Sequence, residues 1–145
     1  MKKIMFAVMA LMLFAPVMSF AADSDEQKLD KAWELYNLGK YKQVLSIVEP
    51  LAAKGNARAQ LILGDCYEIG LGLGQAPEIA CQWFQMAAEQ GNAQAMAKLG
   101  YAYAVGSGVP KNFQLAVQWM ANAAERGDPG AIETLEIWNR EGKLN

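Results

Sequence analysis

One 36-residue stretch of this chain occurs twice in succession, and this repetition limits the possible folds more than any other feature of the sequence. The first copy runs from Ala57 to Asn92 and the second from Ala93 to Asp128, and the two align without a gap. They carry the same residue at fourteen positions, among them a Trp, a Tyr and four Gly. A fixed period of roughly 20–50 residues is typical of a solenoid, in which each repeat packs only on its neighbours.

Each copy has the apolar spacing of two amphipathic helices. In its first half, Ala59, Leu63 and Tyr67 are four residues apart and therefore share one helical face. In its second half, Trp83 and Ala87 have the same spacing. Glycines separate the two halves and follow the second, where the chain reverses direction. The sequence therefore predicts an all-α fold, an α-solenoid of antiparallel helix pairs.

A glycine recurs inside the first helix of each pair, as Gly64 and Gly100. Glycine in a helix interior costs about 1 kcal/mol relative to alanine. Since the residue is repeated at that cost, we expect another helix to pass too close to it for a side chain.

The repeated positions of the second copy form a recognisable pattern: Ala95, Leu99-Gly100, Tyr103, Gly106-Ser107-Gly108-Val109, Ala116, Trp119, Ala123-Ala124 and Gly127. This pattern resembles the Sel1-like repeat family, a relative of the tetratricopeptide repeats. The first copy departs from it at residues 73–76, where Val and a following Asp or Asn are usual. The resemblance implies an α-solenoid that serves as an adaptor for protein–protein contacts.

The segments on either side are predicted to complete a single repeat domain over residues 22–145. Residues 26–56 form a degenerate tetratricopeptide-like repeat with a shortened loop, its first helix beginning near Glu26 after a frayed acidic leader. Residues 129–141 form a C-terminal capping helix, half a repeat, with Ile132, Leu135 and Trp138 on its inner face. Solenoids need such an atypical end unit to shield the last apolar face.

Residues 1–21 have the layout of a secretory signal peptide. Two lysines precede an uncharged apolar run, Ile4–Phe14, and Ser19 and Ala21 supply the small residues of a cleavage site. The alternative is a retained membrane anchor, although Pro16 interrupts the apolar run, which is short for a spanning helix. We expect cleavage after Ala21 and a periplasmic or secreted protein with no stable membrane span.

Composition narrows the function classes. Of the 13 basic residues, cleavage removes Lys2 and Lys3, which leaves 11 against 15 acidic residues. No basic patch interleaves with aromatics, so we expect no nucleic-acid partner. The chain has no His, the commonest general base and a usual zinc ligand. Some cysteine-rich relatives have been linked to penicillin binding, but no motif supports that here. We expect a protein that is not an enzyme and has no metal or cofactor.

Cys66 and Cys81 are the two cysteines of the chain. They lie in the two helices of one repeat, about equally far from the loop between them, so they are candidates for a disulfide in an oxidising compartment. The alternative is a pair of buried free thiols, because the next repeat has Ala102 and Val117 at these positions.

The first helix of each pair is expected to line the concave face, as in tetratricopeptide-like solenoids. This predicts an acidic strip with an apolar floor, suited to a peptide with basic and apolar side chains. Tyr101 either is an interface residue or packs on the adjacent helix. The predicted groove residues are Arg58, Leu61, Asp65, Glu68, Gln94, Ala97, Tyr101, Ala104, Asp30, Glu34, Asn37, Glu133 and Ile137.

Three functions follow from these features. The first is a non-catalytic adaptor that binds a segment of another envelope protein in the concave groove. The second is a self-associating structural element, with Trp138 docking between copies. The third, a cell-wall hydrolase, is disfavoured because the chain has no His and because Asp65 and Glu68 are interpreted as a solvated surface.

Overall fold

The structure, a computed structural model, describes residues 24–144. The predicted signal peptide, residues 1–21, lies outside this range. Within it the chain forms seven helices and no strand, which confirms the all-α prediction. The helices are α1 (24–37), α2 (Tyr41–Ala53), α3 (Ala57–Ile69), α4 (Pro77–Glu89), α5 (Ala93–Val105), α6 (Phe113–Glu125) and α7 (Pro129–Arg140).

The most extensive contacts from α2 onward run between helices adjacent in sequence, above all within the pairs α3–α4 and α5–α6. The pairs then stack through α2 with α3, α4 with α5 and α6 with α7, which confirms the repeat solenoid. Two apolar cores result. The first core joins α1, α2 and α3 and includes Leu29 and Val48; the second core extends from α3 to α7 and includes Phe84 and Leu99. None of the helices in the described part of the chain combines the length and apolar character that a bilayer crossing requires.

One capping residue, repeated every 36 positions, fixes where the first helix of each unit begins. Asn56 Oδ1 accepts a hydrogen bond from the Ala59 amide at 3.0 Å, and Asn92 and Asp128 repeat this contact at 2.9 and 2.8 Å. Such a cap satisfies one of the unpaired amides of the first turn. Helices α3, α5 and α7 therefore start in the same register, which aligns their outward faces.

The first copy departs from the family pattern at residues 73–76, in the loop between α3 and α4. This departure removes the side-chain cap of α4 but keeps the hydrogen bond that closes the loop. The Ala76 amide bonds to the Tyr67 carbonyl at 2.8 Å, and its counterpart Asn112 bonds to Tyr103 at 2.9 Å. The Asn112 side chain also caps α6, whereas Ala76 offers no side-chain cap to α4. The fold therefore tolerates the substitution.

The close helix approach predicted at the recurring glycines is confirmed. A β-carbon on Gly64 would meet the ring of Phe84, which is fully buried in α4. A β-carbon on Gly100 would lie 2.8 Å from Met120 Cγ in α6. Each pair of helices is thus held together by a large side chain lying over bare backbone.

Two expectations about the ends of the domain are wrong. Residues 24–27 are helical rather than frayed, and Arg58 of α3 contacts this part of α1 through Glu26 at 2.7 Å and Asp30 at 2.9 Å. Ile132 is exposed rather than on the inner face of α7, because no further helix packs on that side within residues 24–144.

Gly64→Ala is expected to lower the free energy of unfolding by about 2 kcal/mol. The rigid, buried Phe84 ring cannot move aside, so the overpacking cost of about 3 kcal/mol exceeds the gain of about 1 kcal/mol in helix propensity. Chemical denaturation measures the change. Gly74→Ala, where the structure has open space, is the control and should stay within about 0.5 kcal/mol of wild type. Equal effects of the two substitutions would contradict the packing argument.

Candidate functional site: a groove along the first helices

Three connected depressions follow the face formed by α1, α3, α5 and α7, and we call them together the groove. The N-terminal depression, about 190 Å³, lies between α1, α3 and the start of α5. The central depression, about 680 Å³, lies between α5 and the start of α7. The aromatic pocket, about 550 Å³, lies at the C-terminal ends of α5 and α7. Gln94 lines the first two, and Tyr101 and Thr134 line the last two, so the depressions form one continuous surface.

Most of the predicted groove residues line these depressions. The N-terminal depression contains Arg58, Leu61, Asp65 and Gln94; the central one contains Glu68, Gln94, Ala97 and Tyr101; the aromatic pocket contains Tyr101 and Ala104.

The predicted residues of the end helices do not line the groove. Asp30, Glu34 and Asn37 are exposed on α1, where Asp30 pairs with Arg58. Glu133 and Ile137 are exposed on α7. They correspond by the repeat period to Leu61 and Asp65, whose side of the helix faces the next first helix. Since no such neighbour follows α7 in the described part of the chain, Gly130 and Thr134 face the groove instead.

Several groove residues were missed by the sequence argument. Trp33 lines the N-terminal depression, is 50% exposed, and stacks on Tyr36 with ring centroids 5.3 Å apart. It lies at the edge of the face of α1 that is buried through Leu29 and Ala32. A large aromatic residue at such an edge position was the sequence feature that could have indicated its exposure. Those missed in the aromatic pocket are Val105, Lys111, Phe113, Thr134, Trp138 and Lys143.

Lys98 forms the charged centre of the groove and was also missed. Its Nζ donates a hydrogen bond to Glu68 Oε2 at 2.7 Å and lies 3.0 Å from Asp65 Oδ1. That Asp65 oxygen is buried, and the Lys98 ammonium is its ion-pair partner. The ammonium also lies 5.7 Å from the centroid of the Phe84 ring. The sequence feature that could have indicated this residue is the replacement of Ile62 in the first copy by a lysine at the same position of the second copy.

Burial changes the titration of this cluster. Burial raises the pKa of Asp65, whose side chain is 17% exposed, and the nearby Lys98 charge offsets only part of that effect. Burial opposes the charged form of Lys98 as well, but the hydrogen bond to Glu68 and the charge of Asp65 raise its pKa overall. The predicted solvated acidic surface is therefore a partly buried, ion-paired centre.

Tyr101 is 57% exposed, so it does not pack in the core. It stands between the central depression and the aromatic pocket and contributes to both. Trp33 and Tyr101 thus place an exposed aromatic on each side of the ion-paired centre.

The predicted Cys66–Cys81 disulfide is not formed: both thiols are free and buried. Cys66 belongs to the first core and Cys81 to the second, where its thiol donates to the Ser107 carbonyl at 3.3 Å. The two side chains therefore point into different cores. Burial raises the pKa of Cys66 to about 11 and also raises that of Cys81, so both are neutral thiols near pH 7 and poor nucleophiles.

Trp138 is 9% exposed and packs on Phe113, with ring centroids 4.8 Å apart. It forms the inner wall of the aromatic pocket and is not available to dock between copies, as the self-association hypothesis requires. Among residues 24–144, no group of His, Cys, Asp and Glu is arranged to hold a metal ion.

The family model described as Sel1 repeat matches residues 57–92 and 93–128, the two ranges over which the sequence aligns with itself. A Sel1 repeat protein from Oxalobacter formigenes is 38% identical, with a TM-score of 0.72 over 77% of this chain and 46% of that one. No curated protein matches the chain.

Two further solved structures share the fold. A protective antigen present in uropathogenic Escherichia coli strains, displaying an SLR fold, is 28% identical with a TM-score of 0.73, over 84% of this chain and 27% of that one. Helicobacter pylori cysteine rich protein B is 18% identical with a TM-score of 0.62, over 77% of this chain and 94% of that one, and shows likeness of fold alone. The chain spans less than half the length of the Oxalobacter and Escherichia proteins.

Because the pKa of Asp65 is raised, the free energy of unfolding should depend on pH in a predictable direction. Above the unfolded value near 3.8 and below the raised folded value, the folded chain binds the Asp65 proton more tightly, so this group adds stability as the pH falls. In denaturation series from about pH 7 to about pH 4, we expect the free energy of unfolding of wild type to rise relative to that of Asp65→Asn.

Asp25→Asn is the control, because the pKa shift of Asp25 has the opposite sign. The hydrogen bond from Lys28 lowers the pKa of Asp25, so its contribution is present above the unfolded value near 3.8 and is lost only as the pH falls below that value. Between about pH 7 and about pH 4, the difference between wild type and Asp25→Asn should therefore stay constant. An unchanged difference between wild type and Asp65→Asn across this range would show that Asp65 is not desolvated.

Proposed function

The chain is a Sel1-like repeat protein, and from that premise we propose that it is a non-catalytic adaptor that binds a segment of a partner protein in the groove. Sel1 repeats commonly mediate protein–protein interaction, and the family is generally a non-catalytic interaction scaffold. The main support for this proposal is the continuous groove, in which Trp33 and Tyr101 are exposed on either side of the ion-paired centre.

The exposed aromatics are the anchors of the proposed interface. Trp, Tyr and Arg are enriched among the interface residues that carry most of the binding energy. Tyr101 has apolar surface on both sides, at Ala97 in the central depression and at Val105 in the aromatic pocket. Trp33 is held by stacking on Tyr36, so little side-chain entropy is lost when a partner covers it.

The ion-paired centre acts on specificity more than on affinity. Lys98 already pairs with Asp65 and Glu68, so a partner gains little net charge attraction there. A partner that covers this cluster without giving it hydrogen bonds would leave desolvated charge, which is costly. The proposed segment therefore places polar backbone or side-chain groups over the centre and apolar side chains over the aromatics.

A catalytic role has little support. The sequence has no His, and the two thiols are buried with raised pKa values. Asp65 and Glu68, the paired carboxylates of the groove, both contact Lys98. Lys98 thus neutralises both carboxylates, an arrangement that is common in structural ion pairs.

We propose that the adaptor works outside the cytoplasm, in the periplasm or as a secreted protein. Support comes from residues 1–21, where two lysines, the apolar run Ile4–Phe14 and Ala21 have the order of a secretory signal. The proposed partner is accordingly another envelope protein or a peptide segment of one.

Photo-crosslinking tests the groove as the binding surface. A photoreactive phenylalanine analogue at Trp33 or Tyr101 should form adducts that map to one contiguous segment of a partner. The same analogue at Asn122, exposed on α6 away from the groove, is the matched control and should not. Adducts at Asn122 alone would move the interface to the second helices.

A peptide with the crosslinked sequence then tests the anchor directly. Tyr101→Ala should weaken its binding by about thirtyfold in a titration, since loss of a hot spot costs about 2 kcal/mol. Asn122→Ala, at an exposed position of α6 outside the groove, is expected to bind as wild type does. Asp65 and Glu68 are left intact, because Lys98 pairs with both. Equal affinity of the two variants would exclude Tyr101 as an anchor.

Export is tested by the mass of the protein from cells that produce the full chain. We expect a species that begins at Ala22 in the periplasmic or secreted fraction. Ala21→Tyr should block cleavage, since the position before the cut requires a small residue. A wild-type chain of full mass that stays with the membrane would support the retained anchor instead.

A further inference from the structure

We propose that the aromatic pocket captures the carboxyl terminus of the partner segment, with its last side chain among the rings and its α-carboxylate between Lys111 and Lys143. This inference rests on the proposed function, since it names the part of the partner that the groove holds. The observation that supports it is that Lys111 and Lys143 line the same pocket as the apolar side chains.

The pocket provides a preformed apolar site. Tyr101, Phe113 and Trp138 supply three aromatic walls, and Val105 adds an exposed aliphatic one. Trp138 is fixed by its contact with Phe113 and by its burial in the second core, so this wall does not have to order on binding. A volume of about 550 Å³ accommodates one large apolar side chain with part of its backbone.

The charge at the pocket is positive. Lys111 forms no ion pair with any residue in the range 24–144, and Lys143 pairs with Glu141 at 2.7 Å in a contact where both side chains are about half exposed. Exposed pairs of this kind contribute little, so an incoming carboxylate can compete for Lys143. None of the residues that line the pocket is acidic.

One of the helix ends at the pocket favours an anion. Helix α6 begins at Phe113 in the pocket wall, and the first amides of a helix carry partial positive charge. The C-termini of α5 and α7 also lie at the pocket and carry partial negative charge, which hydrogen bonds to some of their last carbonyls reduce. The Ala102 carbonyl accepts the Gly106 amide at 2.8 Å, and the Trp138 carbonyl accepts the Lys143 amide at 2.9 Å.

The acids of the groove lie at the opposite end of the valley between α5 and α7. Glu68 and Asp128 line the central depression, which leads past Tyr101 to the aromatic pocket. The thirteen residues of α5 extend about 20 Å, the reach of roughly six residues of an extended peptide. The bound segment is thus a short carboxyl-terminal tail, with polar or basic residues upstream and an apolar last residue.

A terminal carboxylate fits the pocket better than an acidic side chain. It lies on the same residue as the apolar side chain, so one residue can satisfy both the rings and the lysines. An Asp or Glu would need a second residue beside the first and a path for the continuing chain past the Lys111 loop and the Lys143 segment.

The experiment compares two libraries of decapeptides, randomised at their last six positions, one with free carboxyl termini and one amidated. We expect the free library to yield binders that end in Phe, Leu, Ile or Met. Amidation of a selected peptide should weaken its affinity by roughly tenfold, because charge-assisted hydrogen bonds are lost.

Lys111→Gln with Lys143→Gln should lower the affinity for the free peptide to that for the amide and leave the amide unaffected. Lys40→Gln with Lys42→Gln, which removes the same charge at exposed positions outside the three depressions, is the matched control. The far-ultraviolet circular dichroism of all variants should match that of wild type.

The outcomes separate this inference from the proposed function. Peptides that bind equally as acids and amides, and that lose affinity in Tyr101→Ala, would overturn carboxyl-terminal capture and leave groove binding intact. Selection of internal acidic residues instead of a free terminus would also overturn it. Failure of both libraries, or binding that Tyr101→Ala does not change, would overturn the proposed function together with the inference.

Discussion

The packing of Phe84 and Met120 over the bare backbone of Gly64 and Gly100 is the contact on which the rest of this structure depends. It lets the two helices of each repeat approach closely on one side, so that the opposite side of α3 and α5 remains free to line a groove. At the equivalent position of α7 the residue is Glu136, which is exposed. Within residues 24–144 no second helix packs on α7, so the close contact over bare backbone is not repeated there.

That ending produces the most distinctive part of the site. In the complete repeats, the position of Trp138 is taken by Cys66 and Ala102, both buried beneath neighbouring helices. The half repeat has room for a Trp at this position, where it covers the second core and at the same time forms a wall of the aromatic pocket. One side chain thus both seals the solenoid and shapes its binding surface.

The fold could be predicted because the core positions are repeated in the sequence. The site could be predicted only in part, because the groove positions differ from one repeat to the next. Identical residues such as Leu63 and Leu99 report contacts that every repeat makes. Positions of the groove differ between repeats, as Asp65 does from Tyr101, and their partners lie in the next repeat. The pairing of Lys98 with Asp65 could be found only by considering adjacent repeats together. Glu133 and Ile137 were misplaced because the last helix lacks the neighbour that gives those positions their surroundings.

The ion-paired centre also changes how the groove should recognise a partner. An open acidic strip would attract basic peptides of many sequences through long-range charge, an effect that salt readily screens. Here Lys98 neutralises Asp65 and Glu68 from within, and Arg58 pairs with Glu26 and Asp30. Discrimination then depends on features that salt screens poorly: the fit of apolar side chains against aromatic walls and the cost of covering the partly buried ion-paired centre with groups that give it no hydrogen bonds. Such a surface selects by the shape and hydrogen bonding of a segment more than by its net charge.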